Sequence, residues 1–108
     1  MIARMWSATA TAEHARDYRM HLTTKVLPAL RELDGYEGAF LLERLVDEGV
    51  ELIVVTWWKS LDAIRGFAGD ALEAAVVGDE AATLLTRFDR HVKHYDLALI
   101  DNPEIKER

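Results

Sequence analysis

Residues 36–58 read YEGAFLLERLVDEGVELIVVTWW, two apolar stretches separated by the short polar turn DEG. Runs rich in branched and aromatic residues on either side of a Gly-containing turn are the signature of a β-hairpin. Neither run alternates as a strand with one wet face should. Phe40, Leu41 and Leu42 are consecutive, as are Leu52, Ile53, Val54 and Val55. An antiparallel sheet with one solvated face alternates apolar with polar, so this hairpin expects cover on both sides. It ends in adjacent tryptophans, Trp57 and Trp58, which a strand directs to opposite faces. They cannot line one pocket. One faces whatever packs on the sheet and the other faces a second cover; parity alone leaves open which is which.

Outward from the hairpin, residues 2–9 read as a first strand. From Thr11, a candidate N-cap, Ala15, Tyr18, Leu22, Val26, Ala29 and Leu33 recur at the three- and four-residue steps of one helix face. Pro28 lies inside this pattern and predicts a kink or break near Lys25 to Leu27, and Gly35 closes the element. After the hairpin, Ser60 can cap a short helix carrying Leu61, Ile64 and Phe67 on one face, stopped by Gly69. Asp70 with Glu73 resembles a capping box opening a helical turn through Val77, and Asp79 could cap a third segment reaching Phe88. Residues 89–100 read as a last strand. The order is βαββαβ, a ferredoxin-like α+β fold in which a four-stranded antiparallel sheet carries both helical regions on one face. The other face has nothing left in the chain to cover it, which predicts a two-fold homodimer joined sheet to sheet. Residues 1–100 form the domain and 101–108 a polar tail.

Composition narrows the function. The chain has 108 residues, half of them hydrophobic and 30% charged, which is one globular domain. A net charge of -6 without a Lys/Arg cluster argues against nucleic acid as a partner. The absence of cysteine excludes disulfides, thiolate metal sites and a Cys nucleophile, and fits a cytoplasmic protein. No signal-peptide core and no membrane-length apolar run is read, so no membrane partner is expected.

The segment VELIVVTWWKSLDAIRGFAG, with a strand ending in Trp-x-Ser before a short amphipathic helix, resembles the antibiotic biosynthesis monooxygenase group of the dimeric α+β barrel superfamily. GYEGAFLLER and the closing VKHYDL resemble it too, and the likeness runs through most of residues 2–99. It implies a homodimer with a pocket in each subunit between sheet and helices. The monooxygenases of that group oxidise phenols or quinols, often with no metal or flavin: a base removes a phenolic proton and the anion reacts with oxygen in a dry pocket. Haem-degrading relatives use an Asn on the first strand, and a Trp and a His in and after the second helical region. This chain has Arg4, Met5, Trp6 and Ser7, then Phe67, and no His from Ala74 to Val77, so haem degradation is disfavoured.

Histidine is the natural base near neutrality. Of the four histidines, His94 is expected to point into the pocket, with a hydrogen-bonded place at the sheet edge as the alternative. His91, three residues away on the same strand, should face the other way, so no shared metal site is expected. His14, Tyr18, His21 and Lys25 form a second helical stripe that either leans over a cavity or is a half-exposed flank. His94 and His21 are therefore the candidate bases, and Trp6, Tyr18, Trp58 and Phe67 the candidate ligand walls, with no cofactor. Asp70, Glu73, Asp79 and Glu80 read as caps and first-turn charges. The functional expectation is a small cofactor-independent monooxygenase for a phenolic or quinol-type aromatic. The alternatives are a binding protein for a small apolar or aromatic molecule and a structural dimerisation module.

Overall fold

A computed structural model describes residues 1–101; the expected polar tail, from residue 102 on, lies outside the described residues. Strand β1 spans Ile2–Ala10, β2 Tyr36–Val46 and β3 Gly49–Trp58, while two short strands, β4 at Arg87–Phe88 and β5 at Lys93–Asp96, close the chain. The sheet is antiparallel and open, in the order β2-β3-β1, with β4 and β5 both paired to the free edge of β1. β4 and β5 together fill the place of the fourth ferredoxin-like strand. One continuous strand over 89–100 was expected. The chain instead leaves the ladder between the two pieces, where Ala74 bridges His91.

The hairpin forms as the apolar runs predict. Leu42 pairs with Ile53 and Val46 with Gly49. Gly49 has φ +137, and a Cβ there would stand 2.3 Å from the Ala10 carbonyl oxygen, so only glycine lets the turn pass so close to β1.

Thr11 caps the first helix, α1 (Ala12–His21), its hydroxyl accepting from the His14 N–H at 3.1 Å. The predicted break before Pro28 takes a specific form. Residues Leu22–Val26 wind as a π-helical segment, and α2 (Leu27–Arg31) then starts with Pro28 in its first turn. Proline has no N–H for the carbonyl of Thr24, and a wider turn removes the demand for it. The Leu27 N–H bonds the Leu22 carbonyl. Thr23 and Thr24 return their hydroxyls to the carbonyls of Arg19 and Met20 at 2.8 and 2.7 Å.

Ser60 caps α3 (Leu61–Ala68) through the Ala63 N–H, and Gly69 ends it at φ +77. The next stretch departs from expectation. Residues 70–77 form no helix beyond one turn, because their backbone groups are bonded elsewhere. Ala75 donates to Arg90, Val92 donates to Glu73, and the carbonyls of Leu72 and Ala74 accept from Arg4. Long-range partners outbid the local helical tendency of an alanine-rich segment. The last helix, α4 (Asp79–Leu84), is capped by Gly78 rather than Asp79 and stops well short of Phe88.

The helices of the described residues lie on one face of the sheet. Two core clusters result. Ala10, Ala15, Tyr18, Leu22, Val50, Leu52 and Ala81 form one; Leu30, Trp58 and Ile64 form the other. Trp58 is the helix-facing tryptophan and is fully buried, while Trp57 points to the opposite face, its ring 5.6 Å from Phe40. On that face Phe40 and Leu42 are 48% and 49% exposed, and no described segment covers them. No helix of the described residues is long and apolar enough to cross a membrane.

Candidate functional site

Alternation along β1 and β3 sends Arg4 and Trp6, Val54 and Thr56 toward the helices. Between them and the long helical element is a cavity of about 100 Å³, open on one side. Its walls include Trp6, Tyr18, His21, Phe67 and Val77, and its polar groups are those of Arg4, Tyr18, His21 and Thr56. The volume is well above the roughly 10–15 Å³ a single water needs but below the roughly 150 Å³ of an engineered cavity that holds benzene. A monocyclic ligand would fill it and reach through the opening.

Tyr18 and His21 lie three residues apart on α1, just upstream of the π-helical segment, so both project to the same side. Their rings are 6.4 Å apart, and Tyr18 lies 6.2 Å from Trp6. The stripe thus leans over the cavity instead of flanking it, and Tyr18 is only 5% exposed. Burial pushes its phenol up to about 12, which makes it a hydrogen-bond donor rather than a base at neutral pH. His14 stays exposed, and Lys25 reaches Glu80 at 3.0 Å.

His21 Nδ1 is 2.5 Å from Glu80 Oε2. The carboxylate is close but not aligned along a ring N–H, so Nδ1 is buried without a hydrogen-bond partner in the strict geometric sense. If Nδ1–H donates to that carboxylate, Nε2 is the nitrogen left to accept a proton. Lys25, through its hydrogen bond, holds the Glu80 carboxyl below its usual range and keeps it charged beside the imidazole. Glu80 reads in sequence as a first-turn charge of a short helix. Its contact with His21 depends on α4 packing against α1, a long-range event with no local signal.

Trp6 forms a wall with its ring face alone, since its N–H is given to the Asp89 carbonyl at 2.7 Å. Phe67 lines the cavity. Two expectations change. Trp58 is no wall: it is fully buried behind the lining, stacked 5.7 Å from Phe67 and donating its N–H to Thr56 Oγ1 at 2.9 Å. It positions two residues that do line the cavity, and Thr56, as acceptor of that bond, keeps its own hydroxyl proton to donate. His94 does project to the helix side, paired with Arg4 across the ladder, but it is outside the cavity lining. Its Nε2 is 2.9 Å from Arg4 Nη1. A guanidinium can only donate, so this nitrogen is the acceptor and the ring is neutral. Burial first, then the Arg4 charge, lowers its pKa, with Glu73 opposing. His91, on the exposed bridge to Ala74, does not join it.

Arg4 went unremarked in sequence as a ligand-facing group. It is 5% exposed, and its guanidinium donates to Leu72 O at 2.6 Å and Ala74 O at 2.8 Å, with its charge 5.6 Å from the centre of the Phe67 ring. The signal was a charged residue at a helix-facing position of a central strand.

No family model matches the chain, and no curated protein matches it in sequence. Solved structures do match in shape. A Deinococcus radiodurans protein provisionally named an antibiotic biosynthesis monooxygenase is similar with a TM-score of 0.66 at 23% identity, over 94% of this chain and 97% of that one. A Bacillus cereus protein with the same provisional name is similar with a TM-score of 0.66 at 14% identity, over 97% and 98% of the two chains. Over nearly its whole length, the chain has the ferredoxin-like α+β fold of structures named antibiotic biosynthesis monooxygenases.

Proposed function

We propose that this protein is a small monooxygenase that oxidises a phenolic or quinol-type aromatic without metal or flavin. The observation that carries the reading is the cavity itself: an apolar pocket walled by Trp6, Tyr18 and Phe67, with a histidine and a buried phenol side by side at its rim. His21 takes the phenolic proton, with Glu80 holding its ring. Tyr18 and Thr56 donate hydrogen bonds to the developing anion, and the apolar wall keeps water away. One electron passes from the anion to dioxygen, the two radicals couple to form a C–O bond at the ring carbon, and the peroxide takes back the proton held by His21. The resulting hydroperoxide loses water to leave a quinone carbonyl, so one oxygen atom enters the substrate and the other leaves as water.

The protein works as a homodimer joined through the sheet faces that carry Phe40, Leu42 and Trp57, and it acts in the cytoplasm. Oxygen uptake in the presence of substituted hydroquinones, with chelator present and no added flavin, tests the activity. His21→Ala is expected to lower kcat about 100-fold, in the range of a lost general base, while leaving the dimer intact. Uptake that persists at full rate in that variant overturns the assignment of His21. The small volume favours a second reading, a binding protein that holds a single-ring aromatic without turning it over. Thermal stabilisation by hydroquinones without oxygen uptake would establish it.

A further inference from the structure

The Arg4 guanidinium is the one full positive charge on the cavity wall that is buried, and among the described residues none of the ion pairs includes it. Its partners are two backbone carbonyls, a neutral imidazole and the face of Phe67. These satisfy hydrogen bonds but supply no countercharge. A buried charge without an opposite charge is expensive, and an ionised ligand in the cavity would supply the missing half of the pair. Desolvation lowers its pKa, as expected for a cation held away from water. The geometry leaves capacity for a ligand. Of the five N–H donors of a guanidinium, three are engaged, two from Nη1 and one from Nη2. The same bonds fix the group between the 72–74 segment and β5, so it is presented rigidly.

We propose that the cavity binds its ligand as an anion, a single-ring aromatic whose ionised oxygen rests against Arg4 while the ring packs between Trp6 and Phe67. The inference rests on the reading of this cavity as a ligand site, but holds equally for an enzyme and for a binder. It also deepens the proposed chemistry. A phenol that enters beside a fixed guanidinium loses its proton more readily, so Arg4 and His21 would share the work of generating the reactive anion.

4-Nitrophenol is a direct probe, because its ionised form is yellow and its neutral form is not. Bound to the protein slightly below neutral pH, it is expected to ionise with a midpoint lowered by about 1–3 units, the usual effect of an opposite charge within contact range. The yellow band should therefore grow as protein is added. In Arg4→Met the bound probe should show no such drop, and in Arg4→Lys a smaller one. 4-Nitroanisole, which cannot ionise, should bind wild type at least about tenfold more weakly than nitrophenolate, a comparison that stands even if a substituted protein fails to fold. A bound nitrophenol that stays neutral, a drop that persists in folded Arg4→Met, or no preference over nitroanisole overturns the proposal, as does failure of 4-nitrophenol to bind at millimolar concentration. Oxygen uptake is read separately. Nitrophenolate capture without hydroquinone oxidation would leave the anion site standing and remove the monooxygenase, and the reverse pattern would do the opposite.

Discussion

Tyr18 carries the clearest consequence of burial at a single position. Its phenol is held up to about 12 in the folded chain against an ordinary value of 10. Above pH 10 the unfolded chain releases this proton and the folded chain retains it, so the unfolded state gains and stability falls as pH rises toward 12. The full loss is roughly 3 kcal/mol for a shift of this size. Denaturant unfolding between pH 9 and about 12 should show the decline, and Tyr18→Phe should flatten most of it, the smaller rise of the Tyr36 phenol remaining. An unchanged slope in the variant would mean the phenol is not held as the structure places it. At this scale the sequence was half informative. Spacing put Tyr18 and His21 on one stripe, and the stripe does meet the cavity. Trp58 and His94 were misplaced for a common reason: an aromatic at a strand end and a histidine beside a charged residue have no local marker for the layer they occupy. What lies in front of Trp58 is set by Phe67 and Thr56, and what takes up His94 is set by an arginine ninety residues away. Arg4 itself was legible only as an odd charge at an inward position.

At the level of elements, β2 and β3 were plain because their apolar runs leave few alternatives, and the turn glycine marks where they reverse. The join between them is less regular near its start, where the pairing shifts between Tyr36 and Gly38. Gly38 lies beneath the Trp57 ring, and a Cβ there would stand 2.4 Å from Cζ2 of the indole. Gly38→Ala should therefore displace the ring and cost roughly 1–3 kcal/mol, the usual penalty for forcing a methyl group into a packed position. Chemical denaturation monitored by tryptophan fluorescence would show it, and a neutral result would place the ring elsewhere. The region from Asp70 to Val77 was the least legible element. Its alanines and its Asp–Glu spacing speak for helix, but its carbonyls are claimed by Arg4 and its amides by the returning chain. A tertiary hydrogen-bond network outweighs a weak local preference, and no periodicity reports it. The split of the final strand into β4 and β5 follows from the same exchange, since the backbone that leaves the ladder is the backbone that bonds residues 73–75.

For the whole molecule, the decisive feature is an apolar sheet surface that none of the described segments covers. Phe40 and Leu42 are each about half exposed there, beside Trp57 and Tyr95. A symmetric interface through this surface would bury Phe40 of both protomers, so Phe40→Glu is expected to weaken self-association about 100-fold or more, because each protomer would then have to bury an unpaired carboxylate. Sedimentation equilibrium measures this directly, and a wild-type protein that is monomeric at high micromolar concentration would refute the arrangement. The helical layer on the other side touches two separate core clusters, one around the cavity and one around Trp58. A single long helix crosses from the first to the second, and its π-helical turn falls at the crossing, between Leu22 and Leu30. One extra residue in a turn rotates everything beyond it relative to everything before it. The two halves of the helix are thereby aimed separately: the upstream half delivers Tyr18 and His21 to the cavity, and the downstream half lets Leu30 serve as cavity wall and as neighbour of Trp58 at once. A residue added or removed at that turn would therefore disturb guest and core together.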